Sequence, residues 1–137
     1  GYHSDETCTV FVCRADTSQK EVYGIVREAQ AEALKAVRAG VRCSEIDRIA
    51  RSRIEAQGLG GYFSHGTGHG VGLDIHEFPR IAATSEDVLE AGMVVTVEPG
   101  VYIPGFWGVR IEDLALVRDG EPAVLSGMPK AMQILEI

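Results

Sequence analysis

The chain has 137 residues, 45% hydrophobic and 24% charged, with 13 Lys and Arg against 20 Asp and Glu for a formal net charge of -7. That length holds one domain with a real core, and the acidic balance excludes a protein whose main task is gripping nucleic acid or an anionic membrane surface. No apolar run approaches the roughly 20 residues that span a bilayer.

In chain order, Tyr2 to Val12 reads as a strand, rich in Thr, Val and Phe with partial alternation. No hairpin mate precedes it, so further sequence is expected on its N-terminal side. Ser18 with Glu21 has the spacing of a capping box, and Val22, Ile25, Val26, Ala29, Ala33, Ala36 and Val37 make an amphipathic helix that Gly40 would cap. Ser44 and Asp47 offer caps for a second helix with Ile46, Ile49, Ala50 and Ile54 on its apolar side, ending at Gly58. From Gly58 to Gly72 seven glycines interrupt any regular element. Two β segments follow, Met93 to Ile103 and Val109 to Val117, joined by a turn with Phe106 and Trp107 at its tip. Arg118 to Pro122 reads as another hairpin turn. The order of elements predicts an α+β domain, two helices packed on antiparallel sheet.

The start, Gly1-Tyr2-His3-Ser4-Asp5, has neither a basic nor an apolar region of the secretory-leader kind. Cys8, Cys13 and Cys43 form an odd set without paired spacing, which fits a reducing compartment; the expected setting is cytoplasmic.

Three places put ionisable residues where a fold has no need of them. His65, His69 and His76 are threaded through glycines, in a loop whose backbone and imidazoles come close to a small ligand. Glu98 follows an apolar run and shares a strand face with Thr96; a carboxylate near a core is paired, protonated or bound to metal. Arg110 and Glu112 share the next strand's face, either as a surface ion pair or with Arg110 orienting a metal-binding carboxylate. Asp5 interrupts the first strand in the same way. One Asp, one His and two Glu make an oxygen-rich ligand set that suits Mn²⁺, Co²⁺, Fe²⁺ or Zn²⁺.

Read together, GYHSDETCTVFV, HGTGHGVGLDIHE, LEAGMVVTVEPGVYIPG and GVRIEDLALV resemble, in that order, the pita-bread metallopeptidases, which include methionine aminopeptidases, aminopeptidase P and prolidase. The histidine and VEPGVYIPG stretches are most similar to aminopeptidase P and prolidase. The resemblance implies that residues 1–137 are roughly the C-terminal half of a pita-bread catalytic domain, its N-terminal part missing. It places metal ligands at Asp5, His69, Glu98 and Glu112, with Asp5 and Glu112 bridging two divalent ions, Mn²⁺ foremost and Co²⁺ or Zn²⁺ open. It makes Glu98 the proton carrier, His65 and His76 the substrate-contacting catalytic histidines, and Arg110 the orienter of the carboxylates. The implied reaction is hydrolysis of the Xaa-Pro bond at a peptide N-terminus by metal-activated hydroxide. The implied partner is a peptide with proline second, and the expected assembly a homo-oligomer such as a dimer. An Xaa-Pro dipeptidase is the alternative, and a non-catalytic peptide-binding module or a metal-free creatinase-like hydrolase stands further off, since the ligand residues are intact.

Two departures matter. The family's further ligand Asp, another histidine and the first half of its duplicated fold would precede Gly1, so the 137 residues alone are expected to be inactive or nearly so. Cys8 stands where the family has Arg, which alters local charge pairing but not the ligand set. Phe106 and Trp107, and equally Tyr62, Phe63 and Tyr102, are open either to lining a proline pocket or to plain packing; His3 reads as a surface residue.

Overall fold

The computed structural model describes residues 1–137. A long helix α1 (Thr17–Ala36) and a shorter α2 (Cys43–Glu55) pack on each other and on sheet. The main sheet has five strands, β2 (Gly68–Gly70), β3 (Glu77–Ile81), β4 (Val94–Val97), β7 (Asp113–Leu116) and β8 (Ala123–Val124), in the order β3-β2-β4-β7-β8 with every pairing antiparallel. β5 (Gly100–Ile103) and β6 (Trp107–Arg110) form a hairpin, and β1 (Val10–Val12) pairs in parallel with β9 (Gln133–Leu135). No helix is long and apolar enough to cross a membrane.

The helices follow their apolar stripes. Val22, Val26, Ala29 and Ala33 of α1 and Cys43, Ile46, Ala50 and Ile54 of α2 are buried, and with Val95, Val97, Val101, Val109 and Ile111 they make one core. The cap of α1 is Asp16 rather than Ser18: its carboxylate accepts from Gln19 N at 2.8 Å while Gln19 Oε1 accepts from Asp16 N at 2.9 Å. The helix reaches back to Thr17, so the box is Asp16/Gln19, not Ser18/Glu21. It also ends before Gly40, which takes φ +85° in the following turn. Helix α2 has no side-chain cap at all. A cap is worth about 1 kcal/mol, whereas each fully buried Ile contributes about 1.5–3 kcal/mol, so Ile46 and Ile54 outweigh its absence. Ser44 and Asp47 therefore do not cap, and Asp47 is turned inward instead.

Other expectations are redrawn by hydrogen bonding. The strand expected over Tyr2–Val12 is in register only at Val10–Val12, and its partner comes from the far end of the chain. Residues before it are tied singly, His3 N to Gly72 O and Thr7 O to Glu112 N. The glycine-rich run contains β2 rather than excluding regular structure, since Gly68 and Gly70 let β2 lie tightly between β3 and β4. Met93–Ile103 is two strands, broken at Glu98-Pro99 because Pro99 has no N–H for the ladder. Val109–Val117 breaks opposite, at Ile111-Glu112.

The three cysteines are free, with Cys13 exposed, Cys8 half-buried and Cys43 buried. Burial and the nearby Asp87 push the Cys43 thiol up to about 11. At pH 8 its thiolate fraction is then about one in a thousand, which adds to steric protection. Iodoacetamide at pH 8 is expected to label Cys13 first and Cys43 only after unfolding. Peptide mass spectrometry reads this directly, and equal labelling of Cys13 and Cys43 in the native protein would contradict the packing of α2.

Candidate metal centre

The two strand breaks build the site. Val97 pairs with Asp113 and Gly100 with Arg110 in one register, so that register, carried across the gap, sets Glu98 opposite Glu112. Two carboxylates facing each other across antiparallel strands repel, an arrangement that costs stability unless a cation lies between or beside them. The N-terminal segment runs alongside: Glu112 N donates to Thr7 O at 3.0 Å, the Thr7 hydroxyl donates to Glu112 Oε2, and Thr9 Oγ1 accepts from Arg110 N at 3.1 Å. This brings Asp5 to the carboxylates.

Strand β2 supplies His69. Its N–H donates to Thr96 Oγ1 at 3.0 Å, and its Nδ1 faces Gly70 O at 2.9 Å. A carbonyl only accepts, so Nδ1 carries the hydrogen and Nε2 is the nitrogen turned into the site. Nε2 lies 3.1 Å from Glu98 Oε1 and 3.7 Å from Asp5 Oδ2. Ligand atoms of Asp5, His69 and Glu112 all lie within 4.8 Å of one another. Glu98 is outside that tight triad and joins it through His69, its carboxylate also accepting from Thr96 Oγ1 at 3.1 Å.

The electrostatics are those of a crowded anionic site. Burial pushes the Glu112 carboxyl up to about 7; the Thr7 hydrogen bond opposes this and the charges of Glu98 and Asp5 reinforce it. Glu112 is 1% exposed, and its Oε1 is buried with no hydrogen-bond partner. Burial is the largest influence on Glu98 and raises it, but the hydrogen bond and charge of His69, the Thr96 hydroxyl and the Arg110 charge together hold it below the usual carboxylate range. Desolvation lowers His69, and the bonds to Glu98 and Gly70 O with the charges of Glu98 and Asp5 together more than reverse it. An orphaned buried carboxylate oxygen beside a second carboxylate and an imidazole is a donor set that fits a divalent cation.

The remaining residues surround a cleft of about 610 Å³ lined only by polar, charged and glycine residues. His65 Nε2 meets the Tyr102 hydroxyl at 2.7 Å while Nδ1 faces Gly66 O. The exposed His76 packs its ring 4.3 Å from that of His69. Arg110 is not a simple ion-pair partner of Glu112: its Nε donates to Thr7 Oγ1 at 3.2 Å, reaching the carboxylate through that hydroxyl. Among the aromatic candidates, Phe63 is buried beneath Arg51 and the edge of His65, Tyr102 holds His65, and Phe106 is exposed.

The roles of Thr7, Thr96 and the Asp47–Arg51 pair in shaping the site escaped sequence reasoning. Arg51 binds Asp47 with two nitrogens and donates to Phe63 O and His65 O, while Asp47 Oδ1 accepts from Thr67 N and Oγ1. That network shapes the loop carrying His65. Only its Asp four residues before an Arg was visible in sequence.

An antiparallel sheet backed by two helices, with carboxylates from two broken strands gathered around a histidine, is the half-shell of a pita-bread metallopeptidase. Residues 1–119 match metallopeptidase family M24, and the chain belongs to that family. An Xaa-Pro dipeptidase of Pyrococcus furiosus is 51% identical over 118 residues, covering 86% of this chain and 34% of that protein. The structure of an Xaa-Pro dipeptidase from Bacillus anthracis superposes with a TM-score of 0.96 at 48% identity, over 98% of this chain and 38% of the other. An X-Pro aminopeptidase from Thermotoga maritima gives 0.94 at 37% identity, again over 98% and 38%. The chain thus spans little more than a third of the length of these relatives.

Proposed function

We propose that residues 1–137 are part of a larger catalytic domain and supply the metal-binding half of an Xaa-Pro peptidase, with the Xaa-Pro dipeptidase reading ahead of the aminopeptidase reading. The observation that carries the metal reading is that ligand atoms of Asp5, His69 and Glu112 lie within 4.8 Å of one another while Glu112 Oε1 is buried without a hydrogen-bond partner. The order of the two substrates rests on the relatives: those at about half identity are named Xaa-Pro dipeptidase, and the X-Pro aminopeptidase stands at 37%. That reverses the order expected from the motifs alone. The preference for proline also rests on the relatives, because the cleft has no apolar wall among these residues.

Asp5, His69, Glu98 and Glu112 would hold the ions, Mn²⁺ foremost and two in number, with Co²⁺ or Zn²⁺ as alternatives. Ions bound there would polarise the scissile carbonyl and acidify the attacking water. Glu98 lies at the cleft wall, where its carboxylate takes up the proton of that water and returns it to the leaving nitrogen. His76, on the same wall, offers a ring nitrogen to the substrate carbonyl, and His65 would do so by exchanging its contact with the Tyr102 hydroxyl for the substrate. Tyr102 fixes the orientation of His65, and Arg110 steadies Glu112 through Thr7. The three free thiols support a reducing, cytoplasmic setting. Homo-oligomeric assembly belongs to the same proposal.

The test uses the whole protein that carries this chain, stripped of metal and resupplied with Mn²⁺. Hydrolysis of a Leu-Pro dipeptide should return with the ion and exceed that of a Leu-Pro-Ala tripeptide. Faster tripeptide cleavage would put the aminopeptidase first, and hydrolysis indifferent to metal would overturn the centre.

A further inference from the structure

The two bridging candidates share a second feature, on the side away from the cleft. Asp5 is followed by Glu6 and Glu112 by Asp113, and successive residues of an extended chain point to opposite sides. Glu6 and Asp113 accordingly turn from the cleft toward one ammonium. Lys130 Nζ donates to Glu6 Oε1 at 2.6 Å and lies 3.2 Å from Asp113 Oδ1. The lysine side chain is 15% exposed.

The rest of this cluster is equally tied. Glu6 also accepts from Met128 N at 2.7 Å and Gly127 N at 3.3 Å. Asp113 accepts from Gln30 Nε2 of α1 at 2.9 Å and from the Ser126 hydroxyl. Ser126 Oγ in turn accepts from Leu114 N at 3.1 Å, and Tyr23 OH donates to Lys130 O at 3.4 Å. The segment bearing Asp5 has no sheet ladder of its own before Val10. Between His3 and Thr7 its side-chain hydrogen bonds are those of Glu6, which is held by residues 127–130, beside the longer contact of Asp5 with His69.

We infer that Lys130 is a positioning residue that sets the metal affinity of the centre by holding, from behind, the two segments that carry Asp5 and Glu112. The inference rests on the metal reading proposed above. Lys130 lies outside the residues matched to the family, 1–119. Losing the ammonium leaves Glu6 and Asp113 as neighbouring anions with no cation between them, held by their neutral donors alone, and their repulsion would carry Asp5 away from Glu112. Ligands positioned by such outer contacts typically lose 10–100-fold in metal affinity when the contact goes.

The experiment is Mn²⁺ titration calorimetry on the whole protein and on Lys130→Met, Lys130→Arg and Glu6→Gln variants, with circular dichroism as a check on folding. Lys130→Met should bind Mn²⁺ on the order of 10–100-fold more weakly. Lys130→Arg should stay within roughly threefold of the parent, because a charge-assisted contact to both carboxylates persists. Glu6→Gln, which keeps an acceptor for Met128 but loses the ion pair, should weaken binding in the same direction by less. A folded Lys130→Met with a lowered melting temperature and unchanged Mn²⁺ affinity would reduce the lysine to a fold-stabilising role and overturn the inference alone. If Lys130→Met does not fold, Glu6→Gln decides: unchanged affinity there overturns the inference. A parent protein that takes up no Mn²⁺ overturns the metal reading and the inference with it.

Discussion

In the whole protein that carries this chain, replacing Glu112 with Gln is expected to cut the proposed peptidase activity roughly 10³-fold, since a bound ion would supply several kcal/mol of transition-state stabilisation and each 1.36 kcal/mol is a factor of ten. The substitution keeps the side chain's shape and an acceptor for Thr7, and it removes one of two carboxylates set opposite each other in the register. In metal-free buffer the variant should therefore melt no lower than the parent, because a neutral amide replaces a crowded buried acid. Loss of activity with retained or raised melting temperature marks Glu112 as a functional carboxylate. Full activity in Glu112→Gln would show the metal assignment to be wrong, and a variant that simply unfolds would make the residue structural.

The second large effect is expected from one methyl group. A Cβ at Gly68 would lie 2.0 Å from Thr96 O and 2.8 Å from Thr96 C, both backbone atoms that cannot swing aside. Gly68→Ala must push β2 away from β4, taking with it the Thr96 hydroxyl contact that orients His69. Overpacking of this kind costs about 1–3 kcal/mol or more, a large share of a domain's 5–15 kcal/mol. Gly61→Ala is the matched control, since nothing lies within 4 Å of its Cβ, and it should change stability by less than about 0.5 kcal/mol. Urea denaturation of the pair measures the difference. Equal stabilities would mean that β2 does not lie as tightly as the structure has it.

Both predictions concern positions whose importance was only partly legible in the chain. Periodicity located α1 and α2 and named their buried faces, because a stripe at three-to-four spacing is a local property of a helix. It missed their starts, since a cap depends on which residue adopts extended geometry, and Asp16 at ψ 174° does so where Ser18 does not. The β-forming runs around Glu98 and Glu112 were correct as β and wrong as unbroken strands. The break at Glu98 was readable from Pro99; the matching break at Glu112 was not, because it follows from pairing with a distant strand.

The site divides in the same way. Residue types and their order already carried the chemistry available: carboxylates where an apolar strand has no use for them, a histidine among glycines, and the motif order that marks the family. It took the folded chain to set Glu98 against His69, to make Thr7 the relay from Arg110 to Glu112 across 105 residues of chain, and to put Lys130 behind the segments of Asp5 and Glu112. The difference is one of range. Side-chain type and spacing carry local propensity and chemical capacity, but desolvation, charge crowding and hydrogen-bond partnership depend on which distant segments share a few ångströms, and that is set by the packing of the whole chain.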